Sequence, residues 1–248
     1  MGVIKMKRFK KLSTLLAMAG ILTTMMVSPV SAETISSGKV NPNSTIQGTI
    51  NISGIKLGNA EIILQDGAKL TRISKEQYIS TLAKEKNVSV SKALEMDVEN
   101  SQRTLTIAPL SAYKPAAASD YFYYYYSNVY NYSGNKNFKA ELDATLKIYS
   151  SGSFRQINDV MAVSSRRYAG NYDYSWIQMS AWSDPTAGSS KFPTTSVTLG
   201  ASGYFEVLCT YSLSTSTDLP GFNIGGSVGG EYRYQSNTMN MNGTYSLY

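Results

Sequence analysis

The chain of 248 residues carries 23 Lys and Arg against 17 Asp and Glu, with no histidine and a single cysteine, Cys209. Without imidazole there is no Ser-His triad, Cys-His pair or helix-borne His-Glu zinc site, and one cysteine excludes an internal disulfide. Five of the basic residues fall in the first 32 positions, leaving 18 against 17 in the remainder, so a groove lined with Lys and Arg for nucleic acid is not expected.

Residues 1–32 read as a secretory signal. Lys5, Lys7, Arg8, Lys10 and Lys11 form a basic start, an apolar stretch runs from Leu12 to Val27, and Val30-Ser31-Ala32 supplies the small residues at which a signal peptidase cuts. Thr14, Gly20, Thr23, Thr24 and Pro29 make that stretch a poor permanent membrane span. The expectation is an extracellular protein starting at Glu33 and stabilised by packing, as fits a Cys-poor product of a Gram-positive cell.

Residues 33–73 alternate polar and apolar positions between Gly and Asn punctuation, as in Thr45-Ile46-Gln47-Gly48-Thr49-Ile50-Asn51-Ile52 and Ala60-Glu61-Ile62-Ile63-Leu64 before Asp66-Gly67. Two or three short strands with tight turns are predicted. On these residues the stretch 46–70 resembles the opening strands of carboxypeptidase regulatory-like β-sandwiches, without that family's closing strand.

A helical hairpin is predicted over 74–99. Ser74 with Gln77 forms a capping box, and Tyr78, Ile79, Leu82 and Ala83 share a helical face that Asn87 ends. Val90, Ala93, Leu94 and Val98 make a second stripe after a candidate N-cap, Ser91. Residues 100–119, with Ala112-Tyr113-Lys114-Pro115-Ala116-Ala117-Ala118-Ser119, read as a linker and domain boundary.

Residues 120–248 hold 17 of the 19 tyrosines and both tryptophans. Phe138, Ala140, Leu142, Ala144, Leu146 and Ile148 alternate with Lys139, Glu141, Asp143, Thr145, Lys147 and Tyr149, a strand with one core face and one wet face. Tyr172, Tyr174, Trp176 and Trp182 share the parity of a second strand. Phe205, Val207, Cys209, Tyr211 and Leu213 line a third, and Phe222, Ile224, Val228, Tyr232 and Tyr234 a fourth. With Asp218-Leu219-Pro220-Gly221 as the turn, 203–235 is expected to form one long hairpin, and a last strand carries Met239, Met241, Tyr245 and Leu247. The fold class is mainly β: an antiparallel β-sandwich or barrel preceded by a small β segment and a short helical hairpin. The plan of signal, Ser-Lys-Glu-Gln-Tyr-Ile helix and Tyr-rich domain ending in Gly-Thr-Tyr-Ser-Leu-Tyr resembles secreted β proteins of spore-forming Gram-positive bacteria. That resemblance implies location and architecture and assigns no activity.

Tyr and Trp offer a flat apolar face with a polar tip, which suits sugar rings and the membrane interface alike. Alternate rings of Tyr121-Phe122-Tyr123-Tyr124-Tyr125-Tyr126 point to opposite sides of a sheet. Tyr121, Tyr123 and Tyr125 are therefore expected to form an exposed strip unless a second layer covers them, and Tyr172, Tyr174, Trp176 and Trp182 complete the candidate binding set. The leading reading is a non-catalytic protein that binds at a cell surface, on a wall glycan or other polymer. The alternative is a membrane-active antibacterial or β-pore-forming protein that inserts the long strand, through Leu142 and Leu146, or the hairpin, through Phe222 and Ile224. A third is a glycoside hydrolase or lyase working through carboxylates, with Glu141, Asp143, Asp173, Glu206 and Glu231 as candidates. Two Ser-x-x-Lys spacings, Ser36 to Lys39 and Ser133 to Lys136, lie in turn-like sequence. No metal or cofactor is expected, and the partners are a wall glycan or membrane surface and not nucleic acid.

Overall fold

The computed structural model describes residues 49–107, 120–168, 173–186 and 191–248. The signal expected over 1–32, residues 33–48, most of the expected linker and Tyr172 lie outside them. In chain order, β1 (Thr49–Asn51), β2 (Glu61–Ile63) and β3 (Lys69–Arg72) precede helices α1 (Lys75–Lys86) and α2 (Val90–Ile107). Then come β4 (Asp120–Asn131), β5 (Lys139–Ser151), β6 (Phe154–Arg167), β7 (Ser175–Pro185), β8 (Ser196–Cys209), β9 (Phe222–Val228), β10 (Glu231–Ser236) and β11 (Met239–Ser246).

Two sheets pack face to face. Sheet I runs β2-β3-β4-β5-β6, antiparallel throughout. Sheet II runs β1-β11-β8-β10-β9, with β7 along the other side of β8; its one parallel pairing joins β1 to β11. The period-two pattern explains the core: Leu142, Leu146 and Ile148 of β5 join Val197, Leu199, Ala201 and Phe205 of β8 in one buried cluster. A chain of hydroxyls crosses that core. Tyr245 donates to Asp66 at 2.8 Å, so its single proton is used and the Tyr126 hydroxyl, 2.5 Å away, donates to Tyr245.

Several expectations are revised. The short strands expected before the helices are present, and they join the main sheets: β1 completes sheet II while β2 and β3 extend sheet I. The expected hairpin over 203–235 is also rearranged: β8 pairs with β10, β9 lies outside β10, and the two-residue turn Gly229-Gly230, both at positive φ, makes the true hairpin. The strand β6 was not foreseen.

α1 follows its sequence signals. Ser74 and Gln77 make the reciprocal capping box, Asn87 ends the helix at φ 51°, and Tyr78, Ile79, Leu82 and Ala83 are buried. α2 departs from them: Ser89 Oγ accepts from Lys92 N, and the helix continues to Ile107. It lays Ala93 and Asp97 on sheet I while Val90, Leu94 and Val98 stay exposed. The reason lies beneath it, where Lys147, expected on a wet face, is covered by the hairpin and ion-paired to Asp97.

Candidate functional site

The expected strip of Tyr121, Tyr123 and Tyr125 is not an open surface: Tyr123 is buried and Tyr121 and Tyr125 are half-buried. Tyr124 and Tyr126 enter the core between the sheets, and the helical hairpin supplies the second layer over the opposite face. Tyr123 stacks on Tyr78 with ring centroids 4.7 Å apart, and Tyr121 lies 4.5 Å from the Lys147 ammonium. Tyr125, beyond the helices, is half-buried and its hydroxyl accepts from Arg166 Nη2 at 2.8 Å.

Of the second aromatic set, Tyr174 is buried beside Phe138 and Phe205, with its hydroxyl among the backbone groups of Lys139 and Tyr168. Trp176 packs on Phe205 at 4.8 Å and its indole N–H donates to Ser165 Oγ at 2.9 Å. Trp182 goes elsewhere. A bulge between Gln178 and Ser180 inserts Met179, so the parity of β7 reverses and Trp182 points to the outer side of sheet II while Trp176 points inward. The three described residues of the set therefore do not form one surface.

The inserting residues of the pore reading are placed just as unevenly. Leu142 is 0% exposed, and Leu146 and Phe222 are also buried; Ile224, at the edge strand, is 61% exposed. Releasing Leu142 and Leu146 to a bilayer would dismantle the core.

Around Trp182 the outer face of sheet II is a coherent surface. Its indole packs directly against Gly200, where an added Cβ would meet ring atoms Cζ2 and Cε2 at 2.3 and 2.4 Å. Glycine there lets the ring come close to the strand. The neighbouring outer positions alternate with the core positions of β8: Thr198, Ser202 and Tyr204 against Val197, Leu199, Ala201 and Phe205. The pairing places Asn242 across from Gly200, Asn240 and Ser180 across from Ser202, and Thr244 across from Thr198. Cross-strand hydroxyl pairs brace the face: Ser180 with Ser202 and Thr198 with Thr244, each at 2.7 Å, and Thr186 with Ser196 at 2.8 Å. Trp182 was among the expected binding residues and this surround was not; its signal in the sequence is the Thr-x-Gly-x-Ser-x-Tyr parity at 198–204.

Four of the five carboxylate candidates face an arginine. Arg166 holds Glu141 through Nε and Nη2, at 3.0 and 2.8 Å, and reaches Asp143 at 3.6 Å. Asp143 is 6% exposed and accepts from Ser164 Oγ; burial pushes its carboxyl above the ordinary range. Asp173 faces Arg167 at 3.6 Å, and Glu206 faces Arg233 at 3.4 Å. Glu231 pairs by its backbone with Val228 at the hairpin turn. Ser133 and Lys136 are exposed in the β4–β5 turn, and Ser36 and Lys39 lie outside the described residues. Cys209 is free and half-buried, its thiol pushed up by desolvation, away from a nucleophilic thiolate. Among the described residues, no three His, Cys, Asp or Glu side chains cluster as a metal site would require, and no helix is long and apolar enough to cross a membrane.

Compared with protein-family models, curated proteins and solved structures, the chain shows no significant match to any of them.

Proposed function

We propose that this is a secreted, non-catalytic protein that holds a cell-surface polymer, a wall glycan, on the outer face of sheet II. The observation that carries the reading is the Trp182 ring packed against Gly200 on the outer face, within a surface of hydroxyl and amide side chains. An aromatic plane takes the apolar face of a sugar ring, and the hydroxyls and amides around it meet the ring's equatorial groups. Both are present on one face, and the strand pairing fixes their spacing before any ligand arrives.

Trp182→Ala should weaken retention on isolated cell walls by about 1 to 3 kcal/mol, taking base stacking on aromatics as the proxy for sugars. Circular dichroism should be unchanged, because Trp182 is outside the core. Gly200→Ala should weaken retention as well, since the new methyl lifts the indole off the strand. Co-sedimentation isotherms check both, and wild-type retention in Trp182→Ala would remove the platform.

Membrane activity is the second reading, favoured by Leu208, Tyr211, Ile224 and Tyr232, which are exposed around the end of sheet II formed by β8, β9 and β10. If that end inserts, Ile224→Lys should abolish dye release from liposomes, since Lys at the bilayer midplane costs about 2 to 4 kcal/mol. Wild-type protein that releases no dye from any liposome would reject it.

A further inference from the structure

We infer that the polymer laid across Trp182 is uncharged where it touches the protein: a neutral polysaccharide and not a phosphate- or carboxylate-bearing wall polymer. The inference rests on the platform proposed above and adds the chemical class of its ligand.

The four strands that build the platform, β1, β7, β8 and β11, contain no Lys or Arg. Their only charged residues are both acidic. Asp184 is across from Thr198, the outer position next to Gly200 on one side. Glu206 lies further along β8 on the other side, where Arg233 of β10 approaches it at 3.4 Å and Gln235 donates to it at 3.2 Å. That arginine is thus engaged by its own carboxylate.

An anionic polymer settling here would lose part of its hydration and meet no cation of these four strands in return, and the two carboxylates flanking the face would repel it. Phosphate-binding surfaces are built the opposite way, from Arg and Lys forks or helix N-termini. The groups on offer are neutral and two-sided. In each cross-strand hydroxyl pair one proton is spent on the partner, which leaves the pair one further donor and spare lone pairs. The amides of Asn240 and Asn242, half-buried on the same face, each carry both a donor and an acceptor. Such a mixed array fits the hydroxyls and acetamido groups of a neutral glycan, whose hydrogen bonds need both polarities. Beyond Arg233, the arginines Arg155, Arg166 and Arg167 all lie on β6 of sheet I.

The test measures binding of the wild-type protein and Trp182→Ala to three solids at low salt and at 1 M NaCl. These are intact Gram-positive cell walls, the same walls after acid extraction of their phosphate polymers, and chitin. The inference expects Trp182-dependent retention on extracted walls at least equal to that on intact walls. It also expects Trp182-dependent retention on chitin, with an affinity that salt changes by less than about twofold, because no ion pair is there for a short Debye length to screen. Retention that still needs Trp182 but falls tenfold or more on extraction, or in salt, would overturn the neutral-ligand inference and leave the platform standing. No Trp182-dependent retention on any of the three would overturn the platform itself, and this inference with it.

Discussion

Asp97→Ala is expected to detach or melt the helical hairpin, at a cost of about 3 to 5 kcal/mol, because it leaves a buried ammonium without its counter-charge. Lys147 is 1% exposed and Asp97 2% exposed; the ammonium also donates to Ser101 Oγ at 2.8 Å and lies against the Tyr121 ring. Burial lowers the Lys147 pKa despite the paired carboxylate, the sign of a charge held in a poorly solvating place. The same logic predicts an asymmetry. Replacing both partners by apolar residues, Asp97→Leu with Lys147→Met, should restore much of the loss, since desolvation and attraction are removed together. Hydrogen exchange at Tyr78, Leu82 and Ala83 reads the hairpin directly: fast exchange in Asp97→Ala and slow exchange in the double variant are expected. Unchanged protection in the single variant would show that the pair does not hold the helices down.

The second large effect belongs to the core. Phe205 is 0% exposed and its ring meets Trp176 at 4.8 Å, Tyr174 at 5.4 Å, Phe138 at 5.6 Å and Tyr132 at 5.8 Å, so it joins the β4–β5 turn of sheet I and the start of β7 to β8. Phe205→Ala should cost about 3 to 5 kcal/mol, the transfer of a phenyl group plus the cavity left behind. Urea unfolding should show a lower midpoint with the slope retained. A midpoint equal to wild type would mean that the two sheets do not share this aromatic centre.

The parts of this fold that were legible in the sequence are those where one local rule acts alone. The unbroken alternation from Phe138 to Ile148 gave β5, and Ser74, Gln77 and Asn87 marked α1 because capping is chemistry between near neighbours. The strand β6 was hidden by its irregularities. Asn158 and the pair Ala162-Val163, with Ala162 at φ 51°, interrupt its pairing with β5 and break the period of two within 14 residues. Gly229-Gly230 was a readable turn signal, masked by the apparent continuity of Ile224, Val228 and Tyr232 across it.

The site was legible only in part, for the same kind of reason. Parity alone put Trp176 and Trp182 on one face, and a single extra residue, Met179, put them on two. Parity also separated the alternate tyrosines of β4 correctly, yet it does not reveal what covers each face. The cover is the helical hairpin, in which α1 packs Tyr78 on Tyr123 while the apolar stripe of α2 points to solvent because Asp97 is drawn to Lys147. A buried ion pair between residues 50 positions apart leaves no local pattern.

Trp176→Phe leaves Trp182 as the only tryptophan of the chain, and its emission on titration with soluble, uncharged wall oligosaccharides measures the central claim directly. With folding confirmed by circular dichroism, the account predicts a saturable change in Trp182 emission that Ser202→Ala and Asn242→Ala weaken. Emission that stays constant while the same variant still co-sediments with cell walls would place the polymer elsewhere and contradict it.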